Sequence, residues 1–280
     1  LPGYILGARL GGGPTADVFA AADLAGGRGW AVKVLRDAAA GDLTNVQLFR
    51  REARAGLTVH HPNLVRIVRA VVRGERPFHL VMERAAGRSL RSVLRQSGWL
   101  APRTVGAIGR QAASALAALH AAGYVHGDVK PDNLHVTPGR SATLLDLGFA
   151  YRPADDRPLV GPGFVLGTAN YIAPELCEEP GRDGPAADVF GLGVTLFELL
   201  TGELPYPDGT VEETMTRHRD GRPESLWDWT GTWPIGLAVL VDRMLAGDPA
   251  ARPRVTDVAR ELGSLFPAGA GNFIAPPPAR

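Results

Sequence analysis

Residues 124–133 read Y-V-H-G-D-V-K-P-D-N, and thirteen residues further on come Asp146, Leu147 and Gly148. Within 23 residues the chain therefore sets out a carboxylate (Asp128), a cation (Lys130), a carboxamide (Asn133) and a second carboxylate (Asp146). This set suits the movement of a phosphoryl group. A base must orient the attacking hydroxyl, an ammonium can offset charge on the phosphate in flight, and an amide oxygen with a carboxylate suits Mg²⁺, a hard cation that takes oxygen ligands.

At 280 residues the chain is long for one minimal domain and comfortable for two lobes, and 45% of it is hydrophobic, enough for a sizeable core. Its one cysteine, Cys177, excludes an internal disulfide and reads as a small apolar side chain. No run approaches the roughly 18 apolar residues of a membrane span, and residues 1–20 lack a basic head followed by an apolar stretch, so a cytoplasmic protein is expected. The net charge of +1 gives no general pull towards nucleic acid or anionic lipid. Charge is uneven, however: residues 1–100 hold 15 Lys+Arg against 7 Asp+Glu, and the remainder 15 against 22.

Taken in order, apolar runs and turn residues mark three strands, Tyr4–Leu10, Asp17–Asp23 and Trp30–Leu35, separated by glycine-rich turns at 11–14 and 26–29. Lys33 falls mid-strand in A-V-K-V-L, where a lysine needs an anion. Val46, Phe49, Ala53 and Leu57 recur at helical spacing and predict a helix over Asn45–Thr58, with Glu52 near its apolar stripe. Gly56 costs this helix about 1 kcal/mol of propensity relative to alanine, so mobility is expected of it. His60 and His61 end it as turn residues, with no ligand spacing that would suit a metal. Two more strands follow, Leu64–Val72 and Pro77–Met82, then a long helix over Thr104–Ala122. Asp188 opens the apolar stretch D-V-F-G-L-G-V-T-L-F-E-L-L-T-G, further helices run to about Phe266, and residues 267–280 read as a proline-rich tail or linker.

D-x-K-x-x-N followed by D-L-G resembles the catalytic loop and metal-binding motif of protein kinases, and the other motifs resemble that family in the same order over residues 4–266. The resemblance is closest to the eukaryotic-like Ser/Thr kinases of bacteria. It implies a two-lobed α+β fold: a small β-rich N-lobe with one helix at 1–82, a hinge at 83–87 and a larger, mainly helical C-lobe at 88–266. It implies Asp128 as base, Lys130 steadying the phosphate, Asn133 and Asp146 on Mg²⁺, and Lys33 paired with Glu52 on the phosphates of ATP. L-G-G-G-P-T-A-D-V is similar to the phosphate loop at Gly11, Gly13 and Val18 and departs from it at Ala16, which is expected to loosen the nucleotide's lid. Leu10, Ala31, the gate Met82 and the backbone of Glu83 and Ala85 would complete the adenine pocket. Thr168 and Ala173–Glu175 resemble the substrate-facing end of the activation segment, and Arg252 sits where the family pairs an arginine with that glutamate. Lys33 and Lys130 are the only lysines among 30 basic residues, and both fall at positions where a compact ammonium rather than a planar fork is required.

The resemblance thus implies transfer of phosphate from Mg·ATP to Ser/Thr hydroxyls of a protein substrate, Lys130 favouring Ser/Thr over Tyr. Two alternatives stay open. His126-Gly127-Asp128 is similar to the loop of small-molecule kinases of the aminoglycoside and choline type, and the irregular Ala16 and Gly127 leave room for a non-catalytic pseudokinase scaffold. Gly127 stands where many protein kinases carry an arginine that receives an activation-segment phosphate, and 149–167 contains no Ser or Thr, Tyr151 being its one hydroxyl. Activity independent of such phosphorylation is expected, with control through the Gly56 helix, a dimer or flanking regulatory domains.

Overall fold

A strand that buries one face has its register fixed by which side chains turn inward. A computed structural model describes residues 1–24, 29–74, 76–155, 168–178, 184–229 and 233–267. β1 (Tyr4–Gly12), β2 (Ala16–Asp23) and β3 (Gly29–Leu35) form an antiparallel meander. Helix α1 (Leu43–Thr58) follows, and then β4 (Ile67–Val71) and β5 (His79–Glu83) complete a five-stranded sheet of order β1-β2-β3-β5-β4. Helix α1 begins ahead of the expected Asn45 because Asp42 caps it, accepting the Thr44 amide at 2.8 Å. Strand β4 is shorter than expected because Leu64 and Val65 are drawn to Leu144 in the second lobe, Val65 donating to its carbonyl at 2.8 Å.

The second lobe is mainly helical. β6 (Arg88–Ser89) leads into α2 (Leu90–Ser97) and α3 (Pro102–Ala121); β7 (Leu134–Val136) pairs on one side with β6 and on the other with β8 (Ala142–Leu144) in a small antiparallel sheet. α4 (Pro174–Glu178), α5 (Pro185–Thr201), α6 (Val211–Asp220), α7 (Ile235–Met244) and α8 (Val255–Leu265) follow. Helix α5 starts ahead of Asp188, at Pro185, whose fixed φ and missing N–H suit a first turn. From Ala187 to Thr201 every residue of α5 is buried, as an all-round apolar helix requires, and it packs against α3, α7 and α8. The main core gathers on it through Phe190, Leu196 and Phe197, a second core of Leu35, Phe49, Ile67, Phe78 and Leu80 lies in the first lobe, and Met82 packs against both. Among the described residues no helix is long and apolar enough to cross a membrane. The turn at 25–28 and residues 268–280 of the proline-rich tail lie outside the described residues.

Gly56 has a packing task. A Cβ built there would meet Ile67 of β4, its Cγ1 at 2.6 Å, so the glycine lets α1 lie close on the sheet. Propensity alone would make Gly56→Ala stabilising by about 1 kcal/mol, whereas overpacking costs about 1–3 kcal/mol. We expect urea unfolding to show a net loss of up to about 2 kcal/mol, partly recovered by adding Ile67→Val. A more stable Gly56→Ala single variant would mean the contact is loose.

Candidate active site

The loop that carries Asp128 hangs on one buried carboxylate. Asp188, in the first turns of α5, accepts the backbone amides of His126 at 2.8 Å and Gly127 at 2.9 Å, and lies 2.8 Å from His120 Nε2 at the end of α3. Burial raises the Asp188 carboxyl, but the His120 ring and the other donors outweigh it and hold the group below the usual carboxylate range. His126 then bridges the loop inward: Nδ1 accepts the Asp128 amide at 3.2 Å, and Nε2 lies 3.1 Å from the Leu145 carbonyl. Gly127 adopts φ +79°, and a Cβ there would come 3.0 Å from the Phe149 carbonyl, so the turn itself favours glycine at this position.

Asp128 is buried, and its Oδ2 takes Lys130 Nζ at 2.7 Å and Asn133 Nδ2 at 2.9 Å. Thr168 donates to Oδ1 at 3.2 Å, and Lys130 also reaches the Thr168 hydroxyl. β7 starts immediately after Asn133, β8 ends two residues before Asp146, and the Leu145 amide donates to the Asn133 carbonyl at 2.7 Å. That small sheet brings the two halves of the motif together.

Lys33 links the lobes. Its Nζ contacts Glu52 Oε1 at 2.8 Å, Glu52 Oε2 at 2.9 Å and Asp146 Oδ1 at 2.8 Å. Burial works against the ammonium, yet the two carboxylates more than offset it and hold Lys33 above its ordinary range. Two acids share one cation, and they separate: burial raises Asp146 but Lys33 brings it down to about 2, while burial pushes the deeper Glu52 up to about 7, against the pull of Lys33 and with Asp146 adding to the push.

Strand register assembles the rest. Lys33 lies opposite Val18, which lies opposite Gly11, and Ala31 lies opposite Met82, so Val18, Ala31, Lys33 and Met82 share one face of the sheet. Leu10 is 44% exposed beside them. Glu83 donates its amide to the Arg66 carbonyl at 2.9 Å, and Ala85, two residues on, is half-buried. In the phosphate loop nothing lies within 4 Å of a Cβ at Gly11 or Gly13, whereas Gly12 is hemmed in by the Ala16 carbonyl at 2.8 Å and Asp17 Oδ1 at 2.7 Å. Asp17, not noticed in the sequence, takes Arg36 and Arg9 at 2.8 Å each, and those bonds hold its carboxyl far below the usual range. Ala16 is buried in β2 opposite Leu35, an ordinary strand position.

Beyond Thr168, Glu175 and Arg252 form a bidentate pair at 2.7 Å on both arms; Arg252 also reaches the Ala186, Ala246 and Gly247 carbonyls and lies 4.9 Å over the Phe190 ring. Residues 156–167, where the sequence lacks Ser and Thr, lie outside the described residues. Over residues 4–262 the sequence matches the protein kinase domain.

The chain belongs to the protein kinase family. Serine/threonine-protein kinase PkaA of Streptomyces coelicolor is 38% identical over 274 residues, covering 92% of this chain and 49% of that protein. Serine/threonine-protein kinase PknA of Mycobacterium tuberculosis is 35% identical over 257 residues, covering 90% and 58%. PknL of the same organism is 36% identical over 203 residues, covering 72% and 50%. The chain thus spans about half the length of these curated relatives. Its five-stranded lobe and helical lobe are the two-lobed α+β kinase fold.

In the sequence Asp188 is legible only as the start of a helix, and no local signal marks His120. A carboxylate inside an apolar run is itself a signal, since a buried charge must find donors. We expect Asp188→Asn to cost about 2–4 kcal/mol at pH 7. The folded Asp188 titrates below the unfolded value of about 3.9, so its contribution is fully present above that pH and is lost as pH falls through the folded pKa. Urea titrations should therefore show the gap between wild type and variant narrowing below about pH 4. A gap that stays constant with pH would show that the ionised carboxylate is not what holds the loop.

Proposed function

We propose that the chain transfers the γ-phosphoryl group of Mg·ATP to serine and threonine hydroxyls of proteins. The observation that carries this reading is the asymmetry at Asp128. Its Oδ2 is held by Lys130 and Asn133, while Oδ1 takes Thr168 at 3.2 Å, which leaves Oδ1 the oxygen with room to accept from an incoming hydroxyl. The acceptor oxygen bonds to the γ-phosphorus as its proton passes to Asp128 Oδ1, the bond to the β,γ-bridging oxygen breaks, and ADP leaves. Lys130 offsets charge on the group in transfer, and Lys33, fixed by Glu52, holds the α- and β-phosphates. Val18, Ala31, Met82 and Leu10 enclose the base, with the backbone of Glu83 and Ala85 as its hydrogen-bonding edge, and Gly11 and Gly13 give the phosphates close access to backbone.

Asn133 spends its amide nitrogen on Asp128, leaving its oxygen, and Asp146 spends Oδ1 on Lys33 and Gly148, leaving Oδ2. Those two oxygens suit Mg²⁺, and the described residues contain no cluster of three or more His, Cys, Asp or Glu that would hold an ion without the nucleotide. The bound ion would neutralise charge on the phosphate oxygens. A protein acceptor is favoured over a small alcohol by the Thr168 contact and the Glu175–Arg252 pair, and the relatives are named Ser/Thr-protein kinases. Activity is independent of activation-segment phosphorylation in this reading. Gly127 supplies no cation, and the Thr168 hydroxyl is already engaged by Lys130 and Asp128, where a phosphate would repel the base.

Purified chain with Mg·ATP, an arrayed Ser/Thr peptide library and, in parallel, aminoglycoside and choline acceptors tests the reading. Asp128→Asn should lower peptide phosphorylation by roughly 10²–10⁴-fold with ATP affinity nearly intact, and Lys33→Arg should damage both. Equal transfer by wild type and Asp128→Asn, or transfer to the small alcohols alone, sinks it. Separately, phosphatase treatment and Tyr151→Phe should leave the rate within about twofold of untreated protein; an activity lost on dephosphorylation and mapped to the 149–168 segment by mass spectrometry would contradict the regulatory part.

A further inference from the structure

Outside the machinery described above, a partly buried cluster of charged groups centres on Arg91, near the start of α2. Its Nη1 contacts Glu198 Oε1 at 2.5 Å and Nη2 contacts Oε2 at 3.2 Å; Nη2 also donates to the Tyr171 hydroxyl at 2.5 Å, and Nε donates to Asp132 Oδ2 at 3.1 Å. The Tyr171 hydroxyl donates in turn to Glu198 Oε2 at 2.5 Å. Glu198 is 5% exposed and rises from α5 among apolar neighbours, where a buried carboxyl needs such donors. Asp132 is the exposed member.

Two of these partners lie at the edge of the acceptor site. Tyr171 comes three residues after Thr168, and Asp132 four residues after Asp128. Thr168 and Asp128 touch each other, and an acceptor hydroxyl bound for Asp128 Oδ1 has to pass beside both. We propose that Arg91 is a positioning residue for the phosphoryl acceptor: one guanidinium ties the segment after Thr168 and the turn after Asp128 to the same buried carboxylate of α5, and so fixes the spacing between the two sides of the acceptor cleft. The fork geometry is essential. Three partners in three directions need the planar, five-donor group, and an ammonium at the end of a lysine satisfies Glu198 but cannot hold Tyr171 and Asp132 in register. Small displacements of a positioned reactant are costly, so the effect falls on the acceptor rather than on the nucleotide.

This inference rests on the kinase reading, and its test separates the two. Wild type, Arg91→Lys, Arg91→Met and Arg91→Met with Glu198→Gln are compared for thermal midpoint, ATP affinity by fluorescent-nucleotide titration, and KM and kcat on the best peptide of an arrayed Ser/Thr library. Arg91→Met strands a buried carboxylate and is expected to melt early; the double variant removes both charges and restores the midpoint. Arg91→Lys and the double variant should bind ATP within about twofold of wild type yet show an acceptor KM raised about five- to thirtyfold. Folded Lys and double variants with unchanged acceptor KM overturn the proposal and leave only a charge match in the core. Loss of ATP affinity in step with acceptor KM also overturns it, by showing a general collapse of the site. A wild type that phosphorylates no peptide overturns the kinase reading and this inference together.

Discussion

A buried carboxylate on an apolar helix is a demand for donors, and α5 makes that demand twice. Asp188 and Glu198 sit ten positions apart on a helix whose other buried members are almost all apolar. Leaving either ionised and unpaired would cost several kcal/mol, so each must recruit partners from elsewhere in the chain. Asp188 recruits the backbone of His126 and Gly127 and thereby hangs the loop that carries Asp128 on the core. Glu198 recruits Arg91 and Tyr171 and thereby draws in the segment beyond Thr168. Both segments of the site are thereby tied to the most deeply buried element of the fold.

The first lobe solves the same problem with the sign reversed. Lys33 stands in a strand where an ammonium is expensive, and the carboxylates of Glu52 and Asp146 reach it from different elements, one from α1 and one from the loop after β8. The lysine therefore joins sheet, helix and second lobe at a single atom. Moving α1 by a turn would strip Lys33 of Glu52 and leave Asp146 as its remaining partner. Gly56 acts on this link at a distance, because the close approach it allows between α1 and Ile67 helps set where Glu52 lies.

Much of the site could be read in the sequence because its chemistry is contiguous: Asp128, Lys130, Asn133 and Asp146 fall within one short stretch, and the strand pattern around Lys33 survives without tertiary context. Helical spacing put Glu52 near the stripe of Phe49 and Ala53, and only the kinase resemblance implied its pairing with Lys33. What could not be read was pairing across long separations. Arg91 and Glu198 are 107 residues apart, and no local period connects them. The packing contact of Gly56 was hidden for the same reason: helix propensity is a local quantity, while its contact with Ile67 belongs to the packed lobe. Strand ends erred where residues such as Val65 left the sheet to bond the other lobe, and the small sheet of β6, β7 and β8 is too short to leave a pattern.

The chain's near-exclusive use of arginine sharpens the comparison between its two cations. Three arginines of this structure pair through the fork: Arg252 takes both oxygens of Glu175, Arg36 takes both of Asp17, and Arg91 spans three residues. Such contacts fix angles as well as distances. Lys33 and Lys130 do something else. Each presents one compact ammonium to oxygens on two different residues, Glu52 with Asp146 and Asp128 with Thr168. A point charge keeps its attraction when one of those oxygens moves, whereas a fork loses its alignment. In the proposed transfer the site admits a nucleotide and an acceptor in turn, which needs cations that tolerate exchange of partners, and a core that must hold still needs forks. Only at those two positions does the chain depart from arginine.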